Sequence, residues 1–346
     1  MVQPAGASSL AREEPRVVVG LDFGTTYSGF SYALKSDPEQ MYLFYEWPGA
    51  QEATNSAYCK TSTSLRYTSD SDTGKWVLEN WGWRAVIDSS NVSERSDLPP
   101  TSIVNASGQF TQRLFNTAES HRDDLSMIDA ASGRLVSLFK LHLADKDATG
   151  LGDPLPPGMI LHDVITDFLR EISAFVLTDV KHRFGGHLSM VDIQWVLTVP
   201  IIWGERAKQR MKLCAERAGM VEGPLESSTA QNGGSRHELV LVLEPEAASI
   251  YCQSLPTWNL SVGERFVVVD AGGGTVDLVG QEVVEGNATR EVSISTGGLC
   301  GGKFVDDNFY DHVAGCIGGF AEFAAIKPAS VMGIMRQWQK EKRSFR

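Results

Sequence analysis

Val268-Val269-Asp270-Ala271-Gly272-Gly273-Gly274-Thr275-Val276-Asp277-Leu278 is a short apolar run that ends in an aspartate, turns through glycines and resumes as a second apolar run. The same plan appears near the start of the chain, in Val19-Gly20-Leu21-Asp22-Phe23-Gly24-Thr25-Thr26-Tyr27-Ser28. Apolar alternation that stops at a tight turn and continues beyond it, as Phe30, Tyr32 and Leu34 do, predicts strand, turn and antiparallel strand. One such unit is most often a plain hairpin. Two of them, separated by most of the chain, predict a duplicated lobe with a cleft between the copies.

The residues in the turns point to what the cleft would take. Glycine lets backbone amides approach anionic oxygens, a threonine hydroxyl adds a donor, and an aspartate at the strand end supplies charge for a hydrated cation. Phosphate with its Mg fits that set. Gly297 to Phe304 offers a rival, reading G-x-x-x-x-G-K and then Phe304. The P-loop needs a Ser or Thr hydroxyl there to ligate Mg, which phenylalanine cannot supply. A G-x-G-x-x-G turn opening a βαβ unit is also missing, so a dinucleotide site is not expected.

Outward from the two turns, Ile160, Val164, Phe168, Ile172, Phe175 and Val180 recur at helical spacing over 159–184, and Gly185-Gly186 is a stop signal. Ile193, Trp195, Leu197 and Val199 alternate as a strand; Ala207, Met211, Cys214 and Ala218 mark a helix ending at Gly219. Leu239 to Leu243 is a further apolar run, after which Glu244-Pro245-Glu246-Ala247-Ala248 opens a helix. From 37 to 152 the pattern is irregular, with tryptophans at 47, 76, 81 and 83 that read as packing, since no basic stripe interleaves them. Val136 to Leu143 reads as a short helix or strand carrying Lys140.

Composition narrows the classes. The chain has 346 residues, 42% of them hydrophobic, enough for two core-bearing domains. A net charge of -12, with one short basic cluster from Lys340 to Arg346, argues against binding nucleic acid or a membrane surface. Cys59, Cys214, Cys252, Cys300 and Cys316 form no C-x-x-C pair and read as incidental thiols. Met1 to Arg16 lacks an apolar signal region, residues 1–15 read as a disordered leader, and no stretch approaches the ~18 apolar residues of a membrane span. A cytoplasmic location is the expectation. Sequons at Asn91, Asn105, Asn259 and Asn287 are treated as chance.

With these motifs in hand, the sequence resembles the heat-shock 70 family, within the actin and sugar-kinase superfamily. The two turn motifs carry the resemblance, together with Thr198-Val199-Pro200, the segment Leu243-Glu244-Pro245-Glu246-Ala247-Ala248 and Leu299 to Phe304, in that family's order. The long tryptophan-bearing insertion, Leu243 and Glu246 resemble the family's atypical twelfth subgroup, known in fungi and animals.

The resemblance implies an α/β, actin-like (ribonuclease-H-like) ATPase fold of two lobes, binding ATP or ADP with Mg. Lobe I would run over 16–258, with the insertion at about 37–152, and a partial lobe II over 262–346. Asp22 and Asp270 would hold Mg through water. Gly24, Thr25, Thr26, Tyr27, Gly272, Gly273, Gly274 and Thr275 would hold phosphates, with Gly301, Gly302, Lys342 and Arg343 as further nucleotide contacts. Catalysis would fall to Glu244, Thr275, Lys140 and Asp270. From spacing alone, Glu244 reads equally well as a helix N-terminal carboxylate, and Lys140 as a snorkelling surface lysine.

The family's adenosine-binding Gly-Gly-Ser-Thr-Arg segment and its peptide-binding domain have no counterpart in this sequence. Lobe II is thus expected to be incomplete, and the isolated chain to bind nucleotide weakly or not at all. Unfolded polypeptide or co-chaperones are implied as partners only for a longer form. Two other functions fit the same motifs: a sugar or small-metabolite kinase, and a pseudo-ATPase scaffold that binds without turnover.

Overall fold

The computed structural model describes residues 15–54, 58–95, 133–143, 154–221, 237–286 and 288–344. The leader, apart from residue 15, and much of the 37–152 insertion lie outside these.

Strand β1 (Val17–Phe23) forms because Val17, Val19, Leu21 and Phe23 all point one way, and all four are fully buried. It turns into β2 (Tyr27–Leu34) as an antiparallel hairpin in which Asp22 faces Gly29, and β3 (Asp37–Leu43) continues the meander. A short helix α1 (Ala50–Thr54) leads to β4 (Thr61–Ser62), which returns to pair with β2. The stretch read as irregular then forms a separate three-stranded sheet. Here β5 (Ser64–Ser69) lies between β6 (Trp76–Trp81) and β7 (Arg134–Ser137), with helix α2 (Gly82–Arg95) between them in the chain. Its tryptophans do pack: Trp47 stacks on Phe175 at 5.5 Å, and Trp81 meets the same ring edge-on at 5.7 Å.

Helix α3 (Leu161–Phe184) covers the main sheet with Val164, Phe168, Ile172, Val176 and Val180, all fully buried, and Phe168 lies 5.6 Å from Phe23. Each such side chain is worth roughly 1.5–3 kcal/mol, so this one face holds helix to sheet. Gly185 ends it at φ 121°, returning its N–H to the Lys181 carbonyl. Strand β8 (Ile193–Val199), helix α4 (Glu205–Arg217) and strand β9 (Val240–Leu243) follow, both strands parallel to β1. The main sheet therefore runs β3-β2-β1-β8-β9, three antiparallel strands followed by two parallel ones joined through a helix.

Helix α5 (Glu244–Ser254) leads to the second hairpin, β10 (Arg265–Ala271) and β11 (Val276–Val284), in which Asp270 faces Asp277. β12 (Ala288–Glu291) and β13 (Thr296–Gly298) both pair with β11, which leaves β10 at an edge among the described residues. Helices α6 (Gly302–Cys316), α7 (Phe320–Ile326) and α8 (Pro328–Ser344) build a small core of their own around Tyr310, Phe320, Ala324 and Val331.

Candidate functional site

The two hairpin turns face each other. In the first, Gly24 can be nothing else, because a Cβ there would lie 2.2 Å from the Tyr27 carbonyl oxygen. Thr63 pins this turn from outside: its hydroxyl donates to the Gly24 carbonyl at 2.8 Å and its N–H to the Thr26 carbonyl at 2.9 Å. The second turn closes on itself with Gly272 N–H to the Thr275 carbonyl at 2.9 Å. Across the gap, a Cβ on Gly273 would fall 1.8 Å from Thr26 Oγ1, and one on Gly274 would fall 2.8 Å from Thr25 Cγ2. The tips are in contact, so a phosphoryl group enters between them only if the two turns part. Thr26 Oγ1 is buried at this contact with no hydrogen-bond partner, a donor in place for an anion.

Behind the tips lies a cluster of charge. Lys140 is 3% exposed and places Nζ 2.7 Å from Glu244 Oε1, flanked by the rings of Phe23 and Trp203. It gets there because Leu138, at φ 56°, swings the chain out of β7 into a 3-10 turn, Phe139–Leu143. Strand and helix both occur in the 134–143 stretch, with the strained residue between them. The snorkelling alternative for Lys140 is thereby excluded. Glu244 is the first residue of α5 and follows β9, so the parallel crossover delivers it to the cleft.

The carboxylates press on one another. Burial pushes the Glu244 carboxyl up, and the Lys140 ammonium only partly offsets it. Asp270 is also raised, first by burial and then by the charges of Asp22 and Asp277. Asp277 is raised by burial, against a hydrogen bond from Thr275 Oγ1 at 3.1 Å; its Oδ1 is buried without a partner. Asp22 accepts from Thr198 Oγ1 at 3.0 Å and from the Lys60 ammonium. Burial, the largest single influence, pulls that ammonium down, but the charge of Asp22, its hydrogen bond and the nearby Tyr58 and Cys59 together outweigh it and hold Lys60 above the ordinary lysine range. Among the described residues no three carboxylate, His or Cys side chains are grouped so as to hold a metal ion directly, so a hydrated cation, reached through water, is what these carboxylates could fit.

The structure thus brings together Asp22, Gly24, Thr25, Thr26, Lys140, Glu244, Asp270, Gly272, Gly273, Gly274 and Thr275. Other expected contacts are used differently. The amides of Gly301 and Gly302 donate to the Gly274 and Gly272 carbonyls at 3.2 and 3.0 Å, so they buttress the second turn and are not free for nucleotide. Tyr27 packs its ring on Tyr58 and Trp83. Lys342 is paired with Asp306 at 2.6 Å, and Arg343 lies on α8 beside it. Four residues at the site were given no role there by the sequence reading: Lys60 and Thr63, and, though quoted within motifs, Thr198 and Asp277. Asp277 had a signal, since alternation in Thr275-Val276-Asp277 puts it on the face of Thr275. Lys60, a lone lysine in a Ser- and Thr-rich stretch, had none.

Sheet order, the paired hairpin turns and the charged cleft behind them define the actin-like ATPase fold. In sequence the chain is similar to two heat shock 70 kDa proteins. It is 24% identical over 383 residues to heat shock 70 kDa protein 12A of Mus musculus, covering 95% of this chain and 50% of that protein. Heat shock 70 kDa protein 12B of Homo sapiens is 24% identical over 387 residues, covering 95% and 49%. The chain therefore spans about half the length of these curated relatives. No protein-family model matches it. The crystal structure of MreB 5 of Spiroplasma citri bound to AMPPNP aligns with a TM-score of 0.42 and 13% identity over 87% of this chain and 57% of that one, a likeness too loose to add to the topology.

Proposed function

We propose that this chain is the ATPase-type module of a heat-shock-70-like protein, gripping ATP or ADP by its phosphates between the two hairpin turns. The observation that carries the reading is the apposition of Thr25 and Thr26 with Gly273 and Gly274 over the Lys140–Glu244 pair. Amides of both turns would bind phosphate oxygens once the turns part, with Thr26 Oγ1 as an additional donor. Asp22 and Asp270 would hold Mg through water, and Mg would neutralise the phosphate charge. Lys140 would hold Glu244 in place, and Glu244, its carboxyl raised by burial, would take the proton from a water whose oxygen attacks the terminal phosphorus as the bond to ADP breaks. Positioning of this kind accounts for most of phosphoryl-transfer catalysis. Cytoplasmic residence belongs to the same proposal, as do unfolded-polypeptide or co-chaperone partners for a longer form of the protein.

Calorimetry with ADP, ATP and adenosine, each with Mg, tests it. ADP and ATP are expected to bind saturably but more weakly than micromolar, and adenosine not to bind, because recognition is by phosphate. Equal binding of adenosine and ADP, or none by any of the three, would refute the reading. Glu244→Gln should keep ADP binding and lose phosphate release.

A further inference from the structure

Lys60 has no part in the function just proposed, yet it lies on the carboxylate expected to hold Mg. It immediately precedes β4, whose Thr61 and Ser62 pair with Ser28 and Tyr27 at the exit of the first turn. Its backbone is anchored: the Lys60 carbonyl accepts from Trp83 Nε1 at 3.1 Å. Its stem is tight against the hairpin, since a Cβ on Gly29 would come within 2.9 Å of Lys60 Cγ. The ammonium then reaches Asp22 Oδ2. Its charge also acts on Asp270, the matching aspartate of the second turn. Lys140, at 3% exposure, is committed to Glu244; Lys60 is held at Cγ but 34% of its side chain is exposed, so the bonds beyond Cγ let its ammonium move.

A primary ammonium on a flexible stem is a mobile point charge that a phosphate can recruit. Asp22, Glu244, Asp270 and Asp277 would otherwise present mainly negative charge to an anionic ligand. We propose that Lys60 is a tethered cation of the phosphate site: it neutralises Asp22 while the turns are closed and swings onto the phosphates as nucleotide enters, reducing the need for divalent metal. This rests on the nucleotide reading above.

The test is a fluorescence titration with mant-ADP, once in excess Mg and once in EDTA. A charge-assisted hydrogen bond is worth roughly tenfold or more in affinity. Lys60→Met is therefore expected to lose about tenfold or more in EDTA but under about threefold in Mg, while Lys60→Arg stays near the parent in both. Equal losses in the two conditions, or none, would overturn the proposal. The parent protein gives a second check that needs no variant: chelating Mg should weaken mant-ADP by less than about tenfold, and a loss beyond about a hundredfold would overturn the proposal. If the parent binds no mant-ADP in either condition, the nucleotide reading itself fails, an outcome distinct from altered metal dependence.

Discussion

The two hairpins share a motif and differ in almost everything around it. Aligned on Asp22 and Asp270, Val19 corresponds to Val267 and Leu21 to Val269. Val19 and Leu21 are 0% exposed, whereas Val267 and Val269 are 63% and 60% exposed. The strands are chemically alike, so the contrast comes from their neighbours. β1 has β8 on its open side and α3 beneath, while β10 is an edge with one face uncovered among the described residues. Turn chemistry is thus local, dictated by glycine and aspartate, and burial is supplied by partners. Stability should accordingly reside in the first lobe, and the second turn should depend on its contacts with the first and on the amides of Gly301, Gly302 and Lys303.

That contrast can be broken first at its most charged point. Lys140→Met strands Glu244 in a buried setting and is expected to lower unfolding free energy by about 3 kcal/mol in a urea titration, because removing one partner of a buried pair leaves an uncompensated charge. Glu244→Gln in the same background should return part of that loss. A cost below about 0.5 kcal/mol would mean that the pair is solvated.

The equivalent valines sharpen it. Val19→Ala should cost about 2–3 kcal/mol through lost burial and the cavity left behind, while Val267→Ala should cost less than about 0.5 kcal/mol. Equal values in denaturant melts would show that β10 is covered in solution as β1 is.

The smallest expected effect is a pH dependence specific to the second turn. The Asp270 carboxyl is held above its usual range by burial and by Asp22 and Asp277. The folded state therefore takes up this proton before the unfolded state does, so the penalty for the charge is fully present above the raised value and is relieved as pH falls through it towards the ordinary aspartate range. Asp270→Asn should consequently be more stable than the parent at pH 7, with the advantage shrinking on acidification towards the ordinary aspartate range. Thermal melts across that window check it; an advantage that grows on acidification would contradict the sign.

Much of this was legible in the sequence where one residue type does one job. The Gly24 and Gly272–Gly274 turns, the aspartates before them, helix α3 and strand β8 all announce themselves through sterics or period. Glu244 was legible only as an even choice between helix capping and chemistry, and Lys140 only as a candidate. Their pairing depends on Leu138 adopting a left-handed conformation, which no propensity anticipates for leucine. The sheet of β5, β6 and β7 was hidden because β7 pairs with β5 across a long separation in sequence. Gly301 and Gly302 were expected as ligand glycines only through the family resemblance, and their amides are taken by the second turn. Lys60 could not have been found, since its role is conferred by β4 returning to β2.

The central claim is that both turns hold one nucleotide between them. It is tested most directly by titrating ADP into the parent protein, Gly24→Val and Gly273→Val, with circular dichroism to confirm that each variant is folded. The added side chains meet Tyr27 in one turn and Thr26 across the gap in the other. Loss of ADP binding in both folded variants is the predicted result. Undiminished binding in either would show that nucleotide is held elsewhere.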